Sequence, residues 1–169
     1  MSLKATAILF AAATLFQMTL VDLISIAGQG PNLILCLTIA LTFMFNSGYK
    51  AAPFAVICTL FLDVGTGQYI GVGAFTIFIV MGIILIVRKQ LNVDNIKPLL
   101  AVGAIVTPVY GAIYWLIMHI LGNPMSFWYI LLHQPIYIAY NLAVIAILYY
   151  AMAGRLKVLK RRKDGYEYE

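Results

Sequence analysis

The chain of 169 residues is 63% hydrophobic and 10% charged, with a mean hydropathy of +0.96 and a formal net charge of +5. Soluble domains carry about 25% charged residues, and a chain of this size has too little interior to bury so much apolar surface. The composition therefore predicts an all-α integral membrane protein. A transmembrane barrel is excluded because the apolar runs are continuous and do not alternate with polar residues.

Six apolar runs follow one another along the chain. A helix needs about 20 residues to cross a bilayer, so this chain has room for six transmembrane helices and for no separate soluble catalytic domain. We predict a transmembrane domain over residues 1–154 and a basic cytoplasmic tail over residues 155–169. The predicted spans are Ala5–Ala27, Pro31–Asn46, Ala51–Val64, Ile70–Val87, Pro98–Leu121 and Trp128–Ala153.

Three prolines stand at predicted helix starts. Pro31, Pro53 and Pro98 open spans two, three and five, where a proline is tolerated because the first N–H groups of a helix have no partner within it. Pro108 lies inside span five and predicts a kink there.

The basic residues indicate the orientation in the membrane. If both termini are cytoplasmic, all eleven Lys and Arg residues lie on that side, and the loops at 22–30, 64–69 and 122–128 contain none. Cytoplasmic loops carry an excess of Lys and Arg, so we predict that both termini are cytoplasmic. The aromatic residues then expected at the outer membrane interface are Tyr114, Trp115, Trp128 and Tyr129.

The C-terminal tail holds six of the eleven basic residues. Basic residues near an anionic membrane surface each contribute about 1 kcal/mol of attraction, so contact with anionic lipid is the expected role. A contact with a cytoplasmic protein is the alternative, and nucleic acid is not an expected partner. The residues concerned are Arg155, Lys157, Lys160, Arg161, Arg162 and Lys163.

A single acid stands at a predicted hairpin between spans three and four. Asp63 ends an apolar run, and Gly65, Gly67, Gly71 and Gly73 follow it. An ionised carboxylate in hydrocarbon costs at least about 2.5–3.5 kcal/mol, so this position needs a reason. Asp63 either caps or stabilises the turn or forms a contact site for a partner or solute. We expect the first two glycines to turn the chain and the last two to let span four approach a neighbouring helix closely.

A few further polar residues lie in or beside the spans. Gln17 shares a helical face with Thr14, which predicts that this face points into the bundle and makes an interhelical hydrogen bond. Asn141 is the corresponding polar residue of span six. Asp22 is expected close to the outer interface.

No pattern predicts catalysis. His119 and His133, with Asp22 and Asp63, are the residues from which a metal or proton site would have to be built, but no pair has the spacing of ligands on one helix. The two cysteines lie inside apolar runs without Cys-x-x-Cys spacing. No Ser/His/Asp or Cys/His arrangement occurs, so we expect no enzyme activity, no metal and no cofactor.

Several short motifs occur together in a fixed order. They are Gln17 in span one, Pro31-Asn32-Leu33 before span two, Leu62-Asp63-Val64-Gly65-Thr66-Gly67 before Ile70-Gly71, and Pro135 through Asn141 to Gly154-Arg155-Leu156. With six predicted spans, this order resembles the rod-shape-determining MreD family over residues 15–157. The family usually has Asp after the proline where this chain has Asn32, so a role that needs a charge there does not carry over.

The resemblance implies a non-catalytic, multi-pass protein of the bacterial cytoplasmic membrane. Such proteins are thought to bind MreC, whose soluble part lies outside the membrane. They act with the MreB cytoskeleton, a RodA-type glycosyltransferase and a class B transpeptidase in the elongasome, where lateral peptidoglycan synthesis maintains cell shape. The residues of the hairpin would then be the structural or partner site.

A second interpretation is the substrate-binding membrane subunit of an energy-coupling-factor vitamin transporter. These subunits are also small proteins with six spans. The polar residues near the outer face would then line a vitamin pocket, and Ala7 and Ala11 would pack on the scaffold subunit of the transporter. A vitamin bound to the purified protein would favour this alternative.

Overall fold

The structure is a computed structural model that describes residues 2–19, 21–26, 28–45, 48–66, 69–91, 95–124 and 126–165, with side chains for all except 22, 66 and 155–165. Its regular elements are helical, which confirms the all-α part of the predicted fold class. The helices are α1 (Leu3–Thr19), α2 (Leu33–Phe45), α3 (Gly48–Thr66), α4 (Val72–Gln90), α5 (Ile96–Ile120) and α6 (Phe127–Gly165), with a 3₁₀ turn at Asp22–Ile24.

Four of these helices, α3 to α6, are long and apolar enough to cross a membrane. The apolar helices α1 and α2 are shorter, with 17 and 13 residues. At 1.5 Å per residue α2 is about 20 Å long, less than the ~30 Å of a hydrocarbon core. The architecture is that of a multi-pass helical membrane protein, and six crossings stay a prediction.

Helix α2 is the central helix of the bundle. Eleven of its 13 residues are buried, and it packs against each of the other five helices. The other helices surround it in the order α1, α3, α4, α5, α6, each packed on the next. Within the described residues α6 and α1 do not pack on each other, so the ring around α2 is open between them.

The start of α3 differs from the prediction. The helix begins at Gly48, not Ala51, and Pro53 lies inside it. Gly48 belongs to the packed interface, since a Cβ atom there would lie 2.7 Å from both Leu85 Cδ2 and Thr42 Cγ2. This contact lets α3 start earlier than the position of Pro53 indicates. One backbone hydrogen bond is lost, because the proline inside the helix has no N–H group.

The two ends of the bundle differ in charge. At one end Arg88 donates from Nε to the Thr42 carbonyl (3.2 Å) and from Nη1 to the Leu91 carbonyl (3.2 Å). The described residues at the other end are 21–26, 28–32, 69–71, 121–124 and 126. In the sequence, the connections 20–32, 67–71 and 121–126 to which they belong contain no Lys or Arg. We call this end of the bundle the non-basic end.

Candidate functional site

Asp63 caps helix α4 from the preceding helix. Its Oδ2 accepts hydrogen bonds from the backbone N–H groups of Gly71 (3.1 Å) and Ala74 (3.0 Å). Gly71 is the N-cap residue of α4 and has no side chain with which to cap, while the first N–H groups of a helix lack partners within it. A carboxylate is also favoured by the dipole at a helix N-terminus. The interpretation of Asp63 as a turn-stabilising cap is therefore confirmed.

The tight contact between the hairpin helices is made at Gly73. A Cβ atom there would collide with Oδ1 of Asp63 and would lie 2.9 Å from Cγ2 of Thr59. The glycine thus leaves room for the carboxylate to reach the end of α4. The predicted close approach at Gly73 is confirmed.

The roles predicted for two other glycines were wrong. Gly65 lies inside α3 and faces α1, where an added Cβ would lie 2.9 Å from Met18 Cε. Gly71 has φ +94° and open space around it, so it turns the chain and does not pack. The roles of turning and packing are exchanged between these two glycines because α3 continues to Thr66, two residues beyond its predicted end. Gly67 lies outside the described residues.

Gln17 connects α1 to the start of α2. Its Nε2 donates to the Pro31 carbonyl (3.0 Å), and its Oε1 accepts from the Leu33 N–H (2.8 Å). Both backbone groups lie where α2 begins, so one amide satisfies a donor and an acceptor that the helix leaves unpaired. This confirms the predicted interhelical hydrogen bond.

Asn141 of α6 holds the same helix start from the other side. It is fully buried, its Oδ1 accepts from the Asn32 N–H (2.8 Å), and its Nδ2 donates to Thr107 Oγ1 of α5 (3.4 Å). The Asn32 side chain accepts from the Leu35 N–H (2.9 Å) and is thereby the N-cap of α2. Helices α1, α5 and α6 therefore meet at the N-terminus of α2. The side chain of Asp22, also predicted in this region, lies outside the described part.

A cavity of about 500 Å³ lies above this helix start, at the non-basic end. Asn32, directly before α2, lines it, and Gln17 of α1, Asp63 of α3 and residues of α5 and α6 form the walls. The central helix begins too late to fill the axis of the bundle at this end. Pockets of 300–1,000 Å³ are the usual size for small-molecule sites.

The lining of the cavity is polar and aromatic. Four carboxamides reach it, and of the described ionisable side chains only Asp63 and His133 lie there besides tyrosines, with no Lys or Arg among the lining residues. His133 Nδ1 donates to the Tyr129 carbonyl (2.6 Å), which fixes the ring against its own helix. The amide residues are Gln17, Gln29, Asn32 and Gln134, and the phenols are Tyr110, Tyr114, Tyr129 and Tyr137.

Gln134 is a cavity residue that the sequence analysis missed. It lies over Gly111 of α5, so closely that a Cβ atom at this glycine would collide with its Nε2. Its Oε1 is buried without a hydrogen-bond partner within the described residues. The helical spacing of Gln134, Tyr137 and Asn141 on one face of α6 was the available signal.

The tyrosines of α5 were likewise missed as site residues. Tyr110 and Tyr114 are one helical turn apart, and their rings stack with centroids 6.3 Å apart. Tyr110 and Tyr137 line the same cavity as Asn32. We expected Tyr114 at the outer membrane interface, and its ring also lines the cavity.

The structure brings together only part of the predicted site. Gln17 and Asp63 line one cavity, and Asn141 lies below it, bonded to Asn32. His119 is not a lining residue, and no group of three His, Cys, Asp or Glu side chains in the described part is placed to hold a metal ion. The structure does not describe the basic side chains from Arg155 to Lys163, although the backbone of α6 continues to Gly165.

A scan against protein-family models and searches of curated proteins and of solved structures found no match to this chain.

Proposed function

We propose that this protein is a non-catalytic membrane scaffold of the bacterial cell-elongation machinery. It binds an MreC-like partner and helps to maintain rod shape through lateral peptidoglycan synthesis. The proposal places it in the bacterial cytoplasmic membrane with six crossings and both termini inside. The resemblance of its motifs to the MreD family is the starting point, and it is most specific in the hairpin motif from Leu62 to Gly71.

The observation that carries the proposal is the hairpin held by Asp63. Its carboxylate joins α3 to the start of α4 through hydrogen bonds that include those from Gly71 and Ala74, and Gly73 leaves the space that the carboxylate occupies. The part of the chain that resembles the family most therefore contains a direct contact between α3 and the start of α4 at the non-basic end. A scaffold needs a fixed surface for its partner, because a preformed surface loses less conformational entropy on binding.

The further partners follow from the same resemblance. Contacts with the RodA-type glycosyltransferase, the class B transpeptidase and MreB are direct or pass through the MreC-like protein. Anionic lipid is the proposed partner of the basic tail.

Co-purification with the MreC-like protein tests the proposal. Asp63→Asn keeps an acceptor oxygen for the N–H groups of Gly71 and Ala74, so the partner should be retained at close to the wild-type level. Asp63→Leu leaves these two donors without their acceptor, at about 1–3 kcal/mol for a buried group, and should reduce co-purification at matched membrane levels. Asp164→Leu, which removes an acid of the tail, is the control.

Equal behaviour of the Asn and Leu variants, or full retention of the partner by both, would contradict the hairpin as the recognition element. A wild-type protein that fails to retain the MreC-like protein would contradict the scaffold itself.

A second candidate function is the substrate-binding subunit of an energy-coupling-factor vitamin transporter. The cavity of about 500 Å³ at the non-basic end favours it, since this is the end that faces outward in the predicted orientation. Mass spectrometry of small molecules extracted from the purified protein tests it. A stoichiometric vitamin, lost in Asp63→Asn and Asp63→Leu alike, would place the transporter first.

A further inference from the structure

We propose that the cavity at the non-basic end is a binding site for a small organic cation, a protonated amine or quaternary ammonium on a ring-bearing body. This proposal does not depend on whether the protein is a scaffold or a transporter subunit, because it rests on the residues that line the cavity. A volume of about 500 Å³ is within the range of small-molecule pockets.

Charge selects the class of ligand. Asp63 lines the cavity, and no Lys or Arg lies among the lining residues. All eleven basic residues of the chain fall outside the three connections of the non-basic end. A cleft with charge of one sign and low-dielectric walls focuses its field on the ligand. An anion would enter against the carboxylate without a counter-charge, whereas a cation would be attracted.

Aromatic rings supply the second feature that a cation needs. Tyr110 and Tyr114 contribute two nearly parallel rings from α5, at an interplanar angle of 16°. Tyr129 contributes another from α6, with its centroid 4.1 Å from that of His133, and Tyr137 completes the set of phenols. The electron-rich faces of such rings attract ammonium groups, as in the aromatic cages that bind quaternary ammonium ligands.

The carboxamides fit a ligand that donates hydrogen bonds. Gln134 Oε1 is buried with no donor from the described residues, and buried acceptors normally have one. An N–H group of a ligand, or a water molecule held beside it, supplies that donor. A ligand without an N–H or O–H group leaves the oxygen as it is.

Three ligands with one ring system and three charges test the proposal. Tryptamine is a cation at neutral pH, tryptophol is its neutral hydroxyl analogue, and indole-3-acetate is an anion. Binding is measured by equilibrium dialysis against the purified full-length protein in neutral detergent, with empty micelles subtracted. We expect tryptamine to bind about tenfold or more tightly than tryptophol, and indole-3-acetate to bind least. We also expect tryptamine binding to weaken as salt is raised.

A matched pair of variants assigns the preference to the cavity. Asp63→Asn keeps the cap on α4 and should bring the affinity for tryptamine to within a factor of about three of that for tryptophol. Asp164→Asn, which removes an acid from the tail, should leave the preference unchanged. Saturating tryptamine should be displaced by benzyltrimethylammonium, a quaternary ammonium that has no N–H donor.

Equal binding of the three ligands, or a preference for indole-3-acetate, by the wild-type protein would overturn the proposal without recourse to a variant. A cation preference that survives Asp63→Asn at its full size would also overturn it, and so would loss of the preference in Asp164→Asn. Retention of the MreC-like partner by Asp63→Asn is a separate readout, so failure of the ligand site is distinguishable from failure of the scaffold.

Discussion

The carboxylate of Asp63 occupies the space that a side chain at Gly73 would fill. The two residues belong to successive helices, and the contact lets Asp63 accept the N–H of Ala74, one residue further along α4, at 3.0 Å. The acid and the glycine therefore form one structural unit. Neither residue can perform its part in the hairpin without the other.

The first prediction concerns this contact. Gly73→Ala should displace the Asp63 carboxylate and lower the free energy of unfolding by about 1–3 kcal/mol, the usual effect of overpacking. Gly82, on the same helix, has open space where its Cβ would lie. Gly82→Ala should therefore raise stability by about 0.5–1 kcal/mol, because alanine favours the helix. Unfolding by SDS titration in mixed micelles measures both changes in stability. A Gly73→Ala variant as stable as the wild type would contradict the claim that Asp63 and Gly73 form one structural unit.

The second prediction concerns Gln17. Gln17→Leu leaves the Leu33 N–H and the Pro31 carbonyl without their side-chain partner, at about 1–3 kcal/mol for buried groups, and the same SDS titration should show this loss. Thr19→Val is the matched control, since Thr19 is exposed and its hydroxyl donates to the carbonyl of Leu15 in its own helix (2.7 Å). The control should change stability by less than about 0.5 kcal/mol. Similar values for both variants would mean that the polar contacts do not hold α2.

The third prediction concerns Asn141 and its coupling to Gln17. Asn141→Leu should also destabilise the protein, since the residue is fully buried and bonds the Asn32 N–H. Both amides bind neighbouring backbone groups at one helix start, so the two losses should not add. A double variant measures the interaction energy. Strict additivity would show that α2 is held at two independent points.

The hairpin shows how far local sequence reaches. One acid before a series of glycines predicted two helices joined by a turn and a capping role for Asp63, and both are present. Which glycine turns the chain was not predictable, because this depends on where α3 ends. Its end is set by packing, since Gly65 lies against Met18 of α1, and no local pattern records that contact.

The cavity shows what local sequence leaves out. It exists because α2 begins late, and the helix start is held by Gln17 and Asn141, which lie 16 and 109 residues away from their backbone partners. Each amide was recognisable as a polar residue in an apolar span. Their meeting at one point, and the empty volume above it, follow only from the way the helices pack around α2.

The fourth prediction concerns the basic tail. Replacing Arg161, Arg162 and Lys163 by Gln removes three cationic groups, each worth about 1 kcal/mol of attraction to an anionic surface. Binding of a tail peptide to vesicles that contain phosphatidylglycerol should fall steeply, while cell shape at normal protein level should stay largely intact. Neutral phosphatidylcholine vesicles are the control. Severe loss of rod shape would instead indicate a cytoplasmic protein partner for the tail.

The last prediction concerns topology. The positions of the charges indicate six crossings, but α1 and α2 are short, so the number of crossings has to be measured. Four helices are long enough to cross a membrane, and six crossings require that α1 and α2 cross as well. All eleven basic residues then lie inside, as the positive-inside rule requires.

Single cysteines in a variant without Cys36 and Cys58 should react with a membrane-impermeant maleimide from outside at Gln68 and Asn123. Cysteines at Lys50 and Arg88 should react only after the membrane is opened. If α1 and α2 form a pair that does not cross, Lys50 and Arg88 keep their side and residue 29 changes sides. Labelling of a cysteine at Gln29 from outside therefore distinguishes six crossings from four, and it also places the mouth of the cavity on the outer face.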